Sequence, residues 1–428
     1  MAFRIALSGL DAASTDLEVT GHNIANASTV GFKESRAEFA DIYANSINDV
    51  SSSVPGRGVR VTRVAQQFGQ GSTEFTSNNL DLAINGEGFY VMRDPGGDQA
   101  YTRAGAFSVD RDGYVVNQTG ARLQVFPRIG TTGSLFNTGA TTDLNLPVVS
   151  GTPQATTNID TTLNLSSAES VPTVALDPSD PAFTFPPDPQ SYNHSTATTI
   201  YDSQGTAHTA TMFYRKIADN QWNVFTFVDG ANIDVGGADF AEVQFSTAGA
   251  ILTAPDPLAG DVDALGNITM DTFNPGGGAA DIVGLTFNYS STTQFGSEFA
   301  VNELTQDGFT SGRLSGVDVD GSGVVFARFT NGQSEPLGKI ALARFNNTQG
   351  LRQIGDTSWA ESFSSGDVQL GEAGTSSYGL IQSGALENSN VDLATQLVNL
   401  ITAQRNFQAN AQVITTADAI TQSVINIR

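Results

Sequence analysis

From Leu386 to Arg428 the chain contains neither glycine nor proline, the two residues that most readily break a helix, so a single long helix is the economical reading of this tail. Ser389-x-x-Asp392 reads as a capping box that opens it. Counting alternately four and three from Leu393 gives Leu397, Leu400, Gln404, Phe407, Ala411, Ile414, Asp418, Thr421 and Ile425, a mainly apolar heptad seam with polar interruptions. The other faces are nearly uncharged, with Asn399, Gln408, Asn410 and Gln412 where a solvated helix normally carries Lys and Glu. Burying about seven apolar side chains yields roughly 10–20 kcal/mol gross, while ordering some forty residues costs ~1–2 kcal/mol each before helix hydrogen bonds offset part of it. One stripe cannot carry that alone. The helix needs something to pack on, either its own domain's core or partner helices.

The other end of the chain supplies a partner. Phe3, Leu10, Leu17 and Ile24 fall seven apart, with Ala6, Ala13 and Thr20 at the matching heptad positions between them. Gly9 and Gly21 each cost a helix about 1 kcal/mol relative to alanine, so this second helix is intrinsically poor and marginal by itself. His22, near its end, reads as a structural or exposed histidine and not as a ligand. After it, Asn26, Ser28 and Thr29 favour leaving a helix, Gly31 can supply a positive φ, and Phe32 is an apolar anchor beside Lys33.

Charge separates the ends from the body. Of a formal net charge of −24, residues 1–40 hold five acids and three bases and residues 389–428 two of each, so almost all the excess lies between them. Neutral ends suit packing against one another; an acidic body suits solvent and argues against binding nucleic acid. The chain has no cysteine, which excludes disulfides and thiol chemistry. No apolar run is long enough to insert in a membrane, and the N-terminus, broken by Gly9 and Asp11, lacks a signal peptide's apolar core.

In chain order, residues 28–71, polar and Gly/Ser-rich around Ser51-Ser-Ser-Val-Pro-Gly-Arg-Gly58, read as an extended connector. From Thr73 the period changes to two. Leu80 to Ile84, an Asn85-Gly86 turn and Phe89 to Met92 read as a hairpin; so do the segments flanking Asp110-Arg-Asp-Gly113. Residues 146–298, rich in Thr, Asp, Pro and Gly with a Pro/Asp loop at Leu176–Gln190, read as an inserted all-β barrel or sandwich. The earlier style of strand returns afterwards. The expected fold is therefore mainly β with terminal α-helices: residues 1–27 with 388–428 as a coiled-coil-like helical domain, 72–145 with 299–387 as a discontinuous β middle domain, and the insert as an outer β domain.

Several of these segments resemble the axial proteins of the bacterial flagellum, the rod and hook subunits. The N-terminal signature includes Asn23, Asn26, Gly31, Phe32 and Lys33. The C-terminal one includes Asn390, Val391, Asp392, Gln404, Arg405, Gln408, Ala409 and Asn410, and Asn79 to Phe89 with Tyr101-Thr-Arg-Ala-Gly105 resembles the family's middle domain. Phe407 stands where many relatives carry Tyr, and Gln396 where an acid is common. Within the insert, Ile200-Tyr-Asp-Ser-Gln-Gly-Thr-Ala-His208 and Trp222-Asn-Val224 resemble the outer domain of hook subunits. The resemblance implies a homopolymer, a helical tube whose inner wall is built from terminal helices, serving as a flexible joint that transmits torque. It also implies contact with other axial proteins (rod, hook cap, hook–filament junction) and with the flagellar export apparatus, and a location outside the cell reached without a cleaved signal peptide. A distal rod subunit is the nearest alternative, disfavoured by length and by the insert. A secreted β-rich adhesin or glycan-binding protein would account for the insert but leaves both terminal seams unexplained.

Candidates for chemistry are few. Asp318-Val-Asp320-Gly-Ser-Gly323 resembles the start of a calcium loop, but no glutamate stands at its twelfth position, and a hairpin turn is the better reading. The three histidines are far apart, and no nucleophile elbow, phosphate loop or dinucleotide fingerprint stands in a strand-to-helix context. No catalytic, metal or cofactor site is expected, and the chain reads as structural.

Overall fold

The computed structural model describes residues 2–42, 56–130, 135–147, 151–375 and 377–426, which form two compact units. The first comprises Met1–Val148, Ser315–Arg328 and Ser334–Arg428; the second comprises Val149–Leu314 and Phe329–Gln333. The fold is mainly β, with one helix at each end, α1 (Ala2–Ala25) and α2 (Leu393–Asn426).

In the first unit, strands from both sides of the insert join one large sheet, those that precede it lying together between strands that follow it. Val324–Phe329 pairs with Ser334–Arg344, which pairs with Arg122–Pro127; that strand pairs with Phe89–Arg93, then follow Gln99–Thr102 and Ser358–Ala360. Phe89, Val91, Tyr101, Phe126, Ala341, Phe345 and Trp359 form a core beneath it. The Asn85-Gly86 hairpin does not form. Phe89–Arg93 is buried on both faces almost throughout and so takes a central place in the sheet. Leu82–Asn85 instead pairs with Leu380–Ser383, nearly three hundred residues away. At Asp110-Arg-Asp-Gly113 the hairpin does form, between Ser108–Val109 and Val115–Val116. In the calcium-like stretch, the Asp320 carboxylate accepts the N–H groups of Ser322 and Val324, as a turn requires.

The stretch expected to be a connector is built differently. Ser35–Asp41 and Val59–Gln66 pair antiparallel, and Val59 N donates to Ser8 Oγ (3.2 Å), which fastens this ribbon to α1. Alternation is weak here because the exposed face carries Glu38 and Arg63, paired to each other. Most of the Ser/Pro run, residues 43–55, lies outside the described residues.

In the second unit two five-stranded sheets share one core, with Ile159, Leu163 and Leu165 from one meeting Met212, Tyr214, Trp222 and Val224 from the other. Along Gln221–Val228 the alternate residues Phe225 and Phe227 point to the opposite face, where Leu176, Phe183 and Tyr192 cover them. The Pro/Asp loop is thus a lid over a second apolar cluster. The unit also extends beyond residue 298: Ala300–Gln306 pairs antiparallel with Asn158–Ser166. That strand is mostly exposed, so no hydrophobic period marks it, and ladder hydrogen bonds alone assign it.

His208 joins two turns of this unit. Its Nδ1 lies 2.6 Å from Asp229 Oδ2 and its Nε2 3.4 Å from Asp202 Oδ2. Burial opposes charge on the ring, but the hydrogen bonds to the two aspartates outweigh it and hold the imidazole above its usual value. A raised histidine stabilises fully below its unfolded value of about 6.5, and the contribution is lost as pH rises through the folded value. The melting difference between wild type and His208→Gln should accordingly be larger near pH 6 than near pH 8.5. Equal differences at the two pH values would contradict the assignment.

Candidate assembly surface

The two helices pack antiparallel. Asn23 Nδ2 reaches Gln396 Oε1 at 3.4 Å, and Gly9 lies against Asn410 closely enough that a Cβ there would stand 2.6 Å from Asn410 Oδ1. On α1 the expected seam residues Ala6 and Ala13 are buried, together with Thr20; Leu10, Leu17 and Ile24 are half-buried, and Phe3 is exposed.

On α2 the inward stripe is rotated from the expected one. Its least exposed positions are Gln396, Leu400, Ala403, Phe407, Asn410, Ala411, Ile414 and Ala417. Leu400, Phe407, Ala411 and Ile414 belong to both stripes, whereas Leu393 (50% exposed) and Leu397 (51%) do not face α1. The cause is that polar Gln396 and Asn410 and small Ala403 make the close contact, and hydrophobicity does not single them out. The Ile425 side chain lies outside the described ones. The start also differs: Asp392, not Ser389, is the N-cap, because its C=O accepts Gln396 N (2.9 Å) and its carboxylate accepts Thr395 N (2.9 Å).

The signature residues divide into two groups. The first builds a buried node that ties the ends together. Lys33 Nζ donates to Glu387 Oε1 at 2.6 Å, both side chains fully buried, and Arg103 Nη1 lies 3.3 Å from Glu387 Oε2. Lys33 also donates to Gly69 O, Arg103 to Gly86 O, and Gly71 N to Glu387 Oε1. Burial draws the Lys33 ammonium below its ordinary value, against the pull of Glu387. Around this node Asn390 Oδ1 accepts Glu34 N (2.7 Å) while its amide donates to Gln67 O (2.8 Å), and Asn23 makes a two-way bond with the Ser35 backbone. Gln396 Nε2 donates to Glu34 Oε1 (2.8 Å), a contact that an acid at this position could make only when protonated. Phe32 is buried against His22, Asn26 closes the helix exit by donating to His22 O, and half-buried Val391 donates its N–H to Ser389 Oγ.

Gly31 has φ +70°, and its N–H donates to Glu387 O (2.8 Å). A Cβ there would stand 2.5 Å from the Ala104 nitrogen, a backbone atom that cannot swing away. Gly31→Ala should therefore cost about 2–3 kcal/mol, combining left-handed strain with the clash. Equilibrium unfolding in urea measures it.

Glu34, Arg103, Glu387 and Gln396 were not among the expected site residues. Each stands inside or beside a signature segment, and the signal that could have found the node is that Lys33, Arg103 and Glu387 are charges set among apolar or turn residues.

The second group faces outward. Gln404, Arg405, Gln408 and Ala409 are exposed, and the first three make no side-chain hydrogen bond or ion pair among the described residues. Beside them Leu393, Leu397, Val398, Ile401, Val413 and Ile420 are all at least 47% exposed, and α1 exposes Phe3, Ile5 and Leu7. Among the described residues no group of three or more His, Asp or Glu is placed to hold a metal, and no helix is long and apolar enough to cross a membrane.

Four family models match: "Flagella basal body rod protein" over residues 3–33, "Flagellar hook protein FlgE/F/G D1 domain" over 83–162, "Flagellar basal body protein FlaE D2 domain" over 164–309, and "Flagellar basal body rod FlgEFG protein C-terminal" over 382–427. With a helix at each end and two β units between them, the matches define a class: structural proteins of the flagellar hook and basal body. The chain is 36% identical over 428 residues to the flagellar hook protein FlgE of Escherichia coli, covering 100% of both chains. To FlgE of Borreliella burgdorferi it is 32% identical, covering 99% of this chain and 98% of that one. The crystal structure of Helicobacter pylori flagellar hook protein FlgE2 has the same fold, with a TM-score of 0.52 at 16% identity over 74% of this chain and 100% of that one. The chain belongs to the FlgE flagellar hook protein family. Its function is that of a hook subunit, and the family is a structural one.

Proposed function

We propose that this subunit polymerises with copies of itself into the tube of the flagellar hook, and that the outward faces of α1 and α2 are the assembling surface. The observation that carries this reading is the group of large apolar side chains left exposed on helices whose inward faces are already packed against each other. Residues 1–27 with 388–428 serve as the assembling domain, and 28–71 links it to the β body. Residues 72–148 with 315–328 and 334–387 form the middle domain, and residues 149–314 with 329–333 form a domain of their own. Gln- and Asn-rich faces of α2 suit the wall of a channel through which unfolded chains pass without sticking, and the acidic body keeps the outside soluble.

Torque transmission through a bendable joint requires β units that slide against their neighbours while the helices hold the tube. Further partners on this reading are other axial proteins of the rod, hook cap and hook–filament junction, and the flagellar export apparatus, which delivers the subunit outside the cell without a cleaved signal peptide. Electron microscopy and sedimentation of the concentrated chain test the central claim. Hollow polymers are expected, and a chain that stays monomeric at every concentration would refute it.

A further inference from the structure

The charge of this chain and its apolar means of association lie in different parts. Residues 149–314 with 329–333, the second unit, carry nineteen acids against three bases, a net −16 of the chain's −24. The helices α1 and α2 together carry four acids and two bases, a net −2. Two of the second unit's bases are turned inward. Lys216 is buried and donates to Ser167 O and Glu169 O, both at 2.8 Å, and half-buried Arg215 donates to Val174 O at 3.3 Å. Arg313 alone of the three is exposed, whereas most of the acids are.

The fold uses many of these carboxylates without needing their charge. Exposed Asp177, Asp180, Asp188 and Asp256 each accept, through Oδ1, the backbone N–H two residues further on, at 2.8–3.1 Å. Asparagine closes the same turn with a neutral amide. Glu298 and Glu303 are exposed and make no side-chain hydrogen bond or ion pair among the described residues. A net charge far from zero keeps protein molecules apart. Any polymer of this chain gathers like-charged second units into one assembly, whatever their stacking.

We infer that association with a second copy of this chain is gated by ionic strength: the nearly neutral helices carry the attraction, and the acidic second unit opposes it until salt screens its charge. The inference rests on the self-assembly reading and adds what regulates it. Attraction between apolar faces changes little at low salt, while repulsion reaches across a screening length of about 30 Å at 0.01 M and about 10 Å at 0.1 M. The two contributions can therefore be separated.

The test uses the full chain in sodium chloride, because sulfate and phosphate also strengthen apolar burial. The threshold concentration for polymer, read by sedimentation, should fall about tenfold or more between about 0.01 and 0.1 M salt. In the combined variant Asp177→Asn, Asp180→Asn, Asp188→Asn, Asp256→Asn, Glu298→Gln and Glu303→Gln, circular dichroism and melting should match wild type. Its threshold should change only about threefold over the same range, since repulsion scales with the product of the charges. A wild-type threshold that ignores salt would overturn the gating while leaving self-assembly intact, and so would a variant that keeps the full wild-type dependence. If wild type forms no polymer at any salt concentration, the self-assembly reading fails and the gating fails with it.

Discussion

Glu387→Gln should cost the first unit about 3–5 kcal/mol, the range for breaking a buried ion pair on one side. The carboxylate stands between Lys33 and Arg103, with Lys33 and Glu387 fully buried and Arg103 nearly so. The substitution leaves two cations with no counter-charge in a site that water does not reach. Replacing Lys33 with Met should cost less, because Arg103 still faces Glu387. Removing all three charges together should recover part of the loss, since desolvating a buried triad is itself expensive. Recovery should be incomplete, because the N–H of Gly71 and the carbonyls of Gly69 and Gly86 lose their partners. Urea unfolding of the single and combined variants measures each difference. A Glu387→Gln variant within 1 kcal/mol of wild type would show that the node does not hold the ends together.

The second large effect falls on assembly and leaves the fold alone. Leu397 and Ile401 are each about half exposed on the outward side of α2. Changing both to Gln, a good helix former, should move monomer stability by no more than ~0.5 kcal/mol per site. If both side chains are buried in the tube, losing them removes about 2–3 kcal/mol per contact, which raises the concentration needed for polymerisation roughly 30- to 150-fold. Sedimentation over a concentration series reads this directly. An unchanged threshold would exclude this face from the subunit contact.

These two predictions also separate the two uses of the signature residues. Lys33, Asn23, Gly31 and Asn390 are engaged inside the subunit, where they fix how the N-terminal exit, the loop at Gly69 and the start of α2 meet. Gln404, Arg405 and Gln408 make no such contacts among the described residues and face outward. A motif read as one block therefore holds both the device that docks the helices to the body and the surface left for a partner.

Local regularities made much of the architecture legible in the sequence. A tail without glycine or proline is a helix, a seven-residue repeat of apolar positions at the other end is a second one, and alternation after Thr73 is β structure. Each depends on the few residues that shape the local backbone. The face on which α2 docks was only half legible. Leu400, Phe407 and Ile414 belong to two neighbouring stripes, and the choice between them falls to Gln396, Ala403 and Asn410, which are polar or small and pack by hydrogen bonding and close approach. The pairing of Leu82–Asn85 with Leu380–Ser383, the extension of the second unit through Ala300–Gln306, and the Lys33–Glu387–Arg103 node were decided by tertiary structure alone. They join segments tens to hundreds of residues apart, where strand order, burial and charge compensation depend on which surfaces meet, and local propensity carries no record of that.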